Sequence, residues 1–268
     1  MRSQNKPSED IWWQSLQRSP ENIPPNADQC NPVLSLPDGK RIQTTSEWSA
    51  KRQEIRKKWL SYLGEIPGPD RSEMKWTVLE SDDRDGVRRE LIRYEAEPGL
   101  PIEGYLLRPL NDPPQAVIKP KSLPAVAVFH STVDYTIRQP AGLEGPQEKW
   151  IGLHLAQAGY VTFCPRCYLW QYGEPRNLLK AVNWLNRRHP MVKGMTKMLY
   201  DSVRAVDLLL SLPEVNPRRI GSVGHSLGAK EVLYLAAFDE RVRATVSSEG
   251  GIGIGYSNWN APWYLDSA

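Results

Sequence analysis

Arg219-Ile-Gly-Ser-Val-Gly-His-Ser-Leu-Gly-Ala-Lys-Glu231 decides the fold of this 268-residue chain. Ile220 to Val223 is a short apolar run of the kind that forms a buried strand, and residues 227–238 read as an apolar helix. Between them stands Gly224-His225-Ser226-Leu227-Gly228, a G-x-S-x-G pentapeptide in strand–turn–helix context. A serine on so sharp a bend projects its oxygen from the sheet edge. Side chains at 224 and 228 would collide with the neighbouring strand and helix. The helix that follows points its N-terminus at the serine, which favours a developing negative charge.

Working outward, the texture on both sides of this segment is α/β. Ala125 to Phe129 and Tyr160 to Phe163 are short apolar runs bounded by turn residues, the pattern of buried parallel strands. A helix is predicted over 148–158. Leu199, Val203, Val206 and Leu210 mark one face of another, and Val242 to Val246 form a further strand. Such alternation implies a parallel sheet with right-handed crossovers. Upstream the period is two: strands are predicted at 76–79, 91–94 and 101–109, an antiparallel hairpin turning at Asp85-Gly86. A helix over 46–63, with Ser46 as its N-cap, ends at Gly64 and Pro67. Residues 111–124 read as a proline-rich loop, and residues 168–195 as an irregular lid or insertion. The predicted organisation is an extended arm over 1–45, followed by one α/β domain over 46–268.

On the elbow segment and its flanks, the chain from about Ile102 onward resembles the α/β-hydrolase superfamily. The resemblance implies a mostly parallel sheet, an N-terminal antiparallel hairpin and helices on both faces. It implies serine hydrolase chemistry on carboxylic esters through an acyl-enzyme on Ser226. It makes the backbone N–H of Leu227 one oxyanion donor. The second donor lies in the loop after the first parallel strand, Phe129-His-Ser-Thr-Val133, with Ser131 as the candidate amide. His130 reads as a loop-shaping side chain. The segment also looks like the glucuronoyl esterase branch of the carbohydrate esterases and their acetylxylan esterase relatives. There a lysine follows the nucleophile by four, as Lys230 does here. The acid there stands 23 positions on, which is Glu249 here. Glu249 thus reads as triad acid or as a solvated loop carboxylate, and Lys230 as a substrate contact or a salt-bridged helix lysine. The branch carries arginine directly after the nucleophile and this chain has Leu227, a departure that counts against uronate-ester specificity.

A serine hydrolase of this type takes its proton-accepting histidine from beyond the acid. No residue in 227–268 is histidine; the four are His130, His154, His189 and His225. The side chain of His225 is expected to point away from that of Ser226. The sequence reading is therefore an α/β-hydrolase fold lacking its last strands, a C-terminally truncated chain impaired for want of a triad base. An early stop in a parallel sheet predicts an exposed edge and self-association. Two further readings stand beside this one: a peptidase related to prolyl oligopeptidases, and a non-catalytic hydrolase-like module that binds a ligand.

Composition sets the outer limits. Apolar residues make up 40% and charged residues 24%, which excludes a disordered chain or a disulfide scaffold. The net charge of +3 is too small to argue for nucleic acid or a membrane surface, and the resemblance implies a small-molecule or carbohydrate ester as the partner. No apolar run reaches the ~18 residues of a membrane span, and no secretory signal is legible. Cys164-Pro-Arg-Cys167 lacks the further ligands a zinc site needs, so no metal and no cofactor is predicted. The pair reads as structural thiols or a small disulfide. Ten tryptophans against three phenylalanines supply flat faces with a polar edge, suited to sugar or to core; Trp259 and Trp263 fall near the expected rim.

Overall fold

The computed structural model describes residues 33–36, 38–68, 74–110, 119–171, 176–251 and 257–266. Most of the predicted arm, Cys30 and the first part of the proline-rich loop lie outside them. The chain divides into two compact units, Met1–Gln53 and Glu54–Ala268.

In the first unit, Ser35 and Arg41 form an antiparallel bridge ahead of helix α1 (Thr45–Leu63), whose residues from Glu54 onward belong to the second unit. The cap of α1 is Thr44, where the sequence suggested Ser46. Glu47 Oε2 accepts the Thr44 and Gln43 N–H groups at 3.0 and 2.9 Å, and Thr44 Oγ1 accepts the Glu47 N–H at 3.2 Å. This is a reciprocal capping box, and it outcompetes a lone serine two residues on.

The second unit carries one seven-stranded sheet. Its strands are β1 (Trp76–Arg84), β2 (Val87–Glu97), β3 (Leu100–Pro109), β4 (Leu123–Phe129), β5 (Val161–Pro165), β6 (Val215–His225) and β7 (Val242–Ser248). The spatial order is β1-β2-β3-β5-β4-β6-β7. β1, β2 and β3 form an antiparallel meander, β3 meets β5 antiparallel, and β5, β4, β6 and β7 are parallel. The strands run longer than their apolar cores because register with a neighbour, not side-chain burial, carries pairing to their polar ends.

Crossover helices cover both faces: α2 (Ile151–Gln157) between β4 and β5, α4 (Gly194–Ser211) before β6, and α5 (Leu227–Phe238) between β6 and β7. The period-two alternation of the strands sorts the core. Ala125, Ala127, Phe129, Val161, Phe163 and Ile220 face α4 and α5, whereas Val126, Val128, Cys164 and Val223 face α2. From β4 the chain steps to β5 on one side and later to β6 on the other. Right-handed crossovers in opposite directions leave a crevice at the carboxyl ends of β4 and β6.

One reading is corrected here and one alternative is decided. The described residues within 168–195 are not irregular throughout. A 3₁₀ turn (Tyr168–Trp170) is followed by helix α3 (Leu178–Arg188), whose Asn177 side chain caps the Lys180 N–H at 3.0 Å. Ala181, Val182 and Leu185 are its buried stripe, too short beside Trp184 and two arginines to stand out as a period. Cys164 and Cys167 are both buried free thiols, not a disulfide, and burial raises both above the usual thiol range. Such thiols are not nucleophilic at neutral pH.

Candidate active site

Ser226 stands at the junction of β6 and α5 with φ +57° and ψ −109°, a backbone conformation that side-chain-bearing residues rarely adopt. Its N–H donates to the Ser248 carbonyl at 2.9 Å, which pins the bend against the end of β7. As N-cap residue it makes no side-chain capping hydrogen bond, so its hydroxyl is not spent on the helix. The residue is half-buried. A Cβ on Gly224 would strike the Gly228 carbonyl, and one on Gly228 would strike the Phe129 carbonyl, both under 3.0 Å. The two glycines of the pentapeptide are therefore steric requirements of the bend.

That requirement gives a first expectation. Gly228→Ala lowers the unfolding free energy by ~1–3 kcal/mol, because the clash is with backbone that cannot rotate away. Gly68→Ala, with nothing within 4 Å, is the control and stays within ~0.5 kcal/mol. Urea unfolding of both variants measures the difference, and equal effects would contradict the packing.

Register brings the remaining candidates to the same edge. Phe129 pairs with Gly224 and His225 with Ser248, so the loops after β4 and β7 each begin one strand spacing from the serine. Ser131 is buried in the first of these loops. The loop is held by His130, whose Nδ1 lies 2.7 Å from the Ser131 carbonyl and whose Nε2 accepts the Cys167 N–H at 3.1 Å. Those contacts assign the Nδ1–H tautomer and leave neither nitrogen for a substrate proton. The Leu227 N–H belongs to the first turn of α5, where amides have no intrahelical acceptor.

Glu249 follows β7 with φ +61° and an exposed side chain. The structure brings it to His225, not to Ser226: Glu249 Oε2 lies 3.5 Å from His225 Nε2. Lys149 Nζ is 3.0 Å from the same nitrogen, and Ser248 Oγ is 3.3 Å from Nδ1. Among the described residues no side chain hydrogen-bonds to Ser226 Oγ. His154 is exposed on α2, and His189 at the end of α3 pairs with Glu97 at 2.9 Å.

Lys230 points inward. It is buried and donates to the Gly250 carbonyl and to Ser257 Oγ at 2.8 Å, and its ammonium lies 4.2 Å from the Trp259 ring. Desolvation lowers its pKa. It anchors the chain at 250 and 257, and Trp259 assists by donating its indole N–H to the Gly251 carbonyl at 3.0 Å. Trp259 is core, and Trp263 packs against the same cluster.

Sequence reasoning missed a buried charge chain beside the site. Glu97 takes Arg188 at 2.5 Å, His189 at 2.9 Å and Lys197 at 3.0 Å, and Lys197 in turn takes Asp201 at 2.7 Å. Burial alone would raise Glu97, but Arg188, Lys197 and His189 outweigh it and hold the carboxyl at about 2. Glu231 on α5, five residues after Ser226, is also buried. Burial first and the Asp201 charge further on push it up to about 8, against the lowering effect of the neighbouring Cys167 thiol. The spacing of Lys197, Asp201 and Arg204 on one helix was the available signal.

A mostly parallel sheet, an order reversal at β4 and a serine on the strained strand–helix bend beside it define the α/β-hydrolase class. Within that class the chain belongs to the dienelactone hydrolase family, whose model matches residues 114–258. It is 41% identical over 209 residues to "Putative hydrolase YtaP" of Bacillus subtilis (strain 168), covering 73% of this chain and 63% of that protein. Among solved structures, a glucuronoyl esterase from Solibacter usitatus aligns at TM-score 0.59 with 17% identity, over 84% of this chain and 64% of its own. A glucuronoyl esterase from Teredinibacter turnerae aligns at TM-score 0.55 with 20% identity, over 83% of this chain and 56% of its own. The chain thus spans less than two thirds of the length of each of these proteins. At such identities the two structural likenesses speak for the fold alone.

Proposed function

We propose that this chain carries the nucleophile and oxyanion site of a serine esterase acting on carboxylic esters, with carbohydrate-linked esters as the substrate class. One observation carries the reading: a serine held at φ +57° on the strand–helix bend, its hydroxyl uncapped. Ser226 Oγ attacks the acyl carbonyl carbon. The carbonyl oxygen takes the electron pair and is met by the Leu227 N–H and the amide of the Ser131 loop. Collapse expels the alcohol and leaves an acyl-serine, which water cleaves to acid and free enzyme. The sugar preference draws on the names of the structural neighbours; the spacing of Lys230 and Glu249 adds nothing to it, because Lys230 turns inward and Glu249 meets His225.

The reading includes a deficit. His130 is fully engaged, His225 is tied to Lys149 and Glu249, and His154 and His189 lie on other elements. Without a positioned base the serine proton leaves to solvent, and general-base assistance worth ~10²–10⁴-fold is missing. A fluorophosphonate probe, with the adduct located by mass spectrometry, tests both parts. Slow, stoichiometric labelling of Ser226 is expected. Absence of adduct at Ser226 overturns the nucleophile; labelling at the speed of a complete serine esterase overturns the deficit.

A further inference from the structure

Beneath the carboxyl ends of β4 and β5 lies a small cavity lined by Phe129, Pro165, Cys167, Tyr168, Asp201 and Glu231, among others. Its open volume is about 10 Å³, room for the centre of one water molecule. Three polar atoms of its lining residues are buried with no partner among the described residues: Glu231 Oε1, Asp201 Oδ2 and the Tyr168 hydroxyl. A buried water makes two to four hydrogen bonds, and these three groups supply that number. The other oxygen of Asp201 is already taken by Lys197 at 2.7 Å, and Cys167 lines the same cavity as Glu231.

The contacts beyond Cys167 give this arrangement a consequence. The Cys167 N–H donates to His130 Nε2 at 3.1 Å, and the His130 ring holds the Ser131 carbonyl at 2.7 Å and packs edge-on to Trp170 at 5.0 Å. Glu231 itself sits on α5, the helix whose first amide is that of Leu227. One path therefore runs from the helix that offers one oxyanion donor, across the cavity to Cys167, and by hydrogen bonds to the loop that offers the other.

We propose that Glu231 is a positioning residue that braces the two sides of the oxyanion site: it meets Cys167 across the cavity and shares one water with Asp201 and Tyr168. The inference rests on the esterase reading for its catalytic meaning, but the brace itself does not. The carboxylic acid donates its proton to the water, and the water donates to Asp201 Oδ2. The groups that face Glu231 are Cys167 and Tyr168 after β5, Arg166 at the cavity wall, Asp201 on α4 with Lys197 behind it, Tyr94 of β2 and Tyr264 near the chain's end. Removing the Glu231 proton places a second negative charge beside Asp201 and takes away the donor.

Glu231→Ala and Glu231→Gln separate this from a merely structural role. Two readouts are used: the fluorophosphonate labelling rate of Ser226 from pH 6 to 9, and the ¹⁵N signal of the Nδ1–H of His130 in ¹⁵N-histidine protein. Glu231→Ala is expected to slow labelling ~10–100-fold, the size of effect that follows a misplaced site, and to lose the slowly exchanging His130 signal. Glu231→Gln, which keeps a neutral donor and acceptor, is expected to restore both. It should also remove the fall in stability that the wild type shows as pH rises toward 8, the folded protein holding a proton that the unfolded chain gives up near the ordinary glutamate value. If Glu231→Ala does not fold, Cys167→Ala cuts the same path and is measured in its place. A broken-path variant that keeps both the His130 signal and the wild-type labelling rate overturns the brace. If the wild type itself does not label, the esterase reading fails, and the His130 signal in the variants decides the brace alone.

Discussion

Ser226→Ala and Ser226→Gly are both expected to abolish covalent labelling and to reduce any ester hydrolysis by at least ~10³-fold, yet to differ in stability. On the proposed function, loss of the serine hydroxyl removes the acyl-enzyme route and leaves only what the oxyanion amides and binding supply. The stability difference follows from the backbone. A non-glycine residue at φ +57°, ψ −109° carries ~1–3 kcal/mol of strain, which alanine retains and glycine relieves. Glycine gives back up to ~1 kcal/mol through the greater freedom of its unfolded chain. The expected balance is Ser226→Gly more stable than wild type by ~1–2 kcal/mol and Ser226→Ala within ~0.5 kcal/mol of it. Urea unfolding checks this. A Ser226→Gly variant no more stable than Ser226→Ala would show that the bend is unstrained and would remove its main signature as a functional site.

Lys197→Met is expected to be the most destabilising single change away from the bend, by ~3–5 kcal/mol at neutral pH. The lysine is buried and its ammonium bridges Glu97 and Asp201 at 3.0 and 2.7 Å. Methionine fills a similar volume, so the loss is electrostatic: two buried carboxylates lose a shared partner. Glu97 keeps Arg188 and His189, whereas Asp201 keeps none of its ion pairs among the described residues. Burial already raises Asp201, so without Lys197 it takes up a proton. A carboxyl raised in the folded state costs stability as pH rises, so the Lys197→Met penalty is largest near pH 8 and shrinks toward pH 5. Glu97, held at about 2, behaves in the opposite sense: its contribution is complete above the ordinary carboxylate range and is lost only as pH falls toward 2. Chemical unfolding at pH 5 and pH 8 measures the slope. A penalty below ~1 kcal/mol at both would mean that the lysine is not the keystone of the chain, and adding Asp201→Asn should recover part of the loss.

The division between what was legible and what was not follows the range of the interactions. Apolar runs bounded by turn residues located β4, β5, β6 and β7, and an i, i+4, i+7, i+11 stripe located α4, because local periodicity reports which face is buried. The pentapeptide located the bend, because only glycine fits where two backbones nearly touch. Helix α3 escaped because its buried stripe is only Ala181, Val182 and Leu185. The cap of α1 moved from Ser46 to Thr44 because a reciprocal pair outbids a single hydroxyl.

Spacing and residue size suffice to place a serine on a glycine-walled bend of a parallel sheet. Tertiary structure alone decided that Lys230 turns inward to Gly250 and Trp259, that Glu249 meets His225, and that Glu231, Asp201 and Lys197 share the interior beneath the serine. A charged residue reads as solvent-facing in any linear pattern. Its burial depends on partners ~100 residues away, such as Glu97 for Lys197, which only the assembled sheet and helices bring within reach.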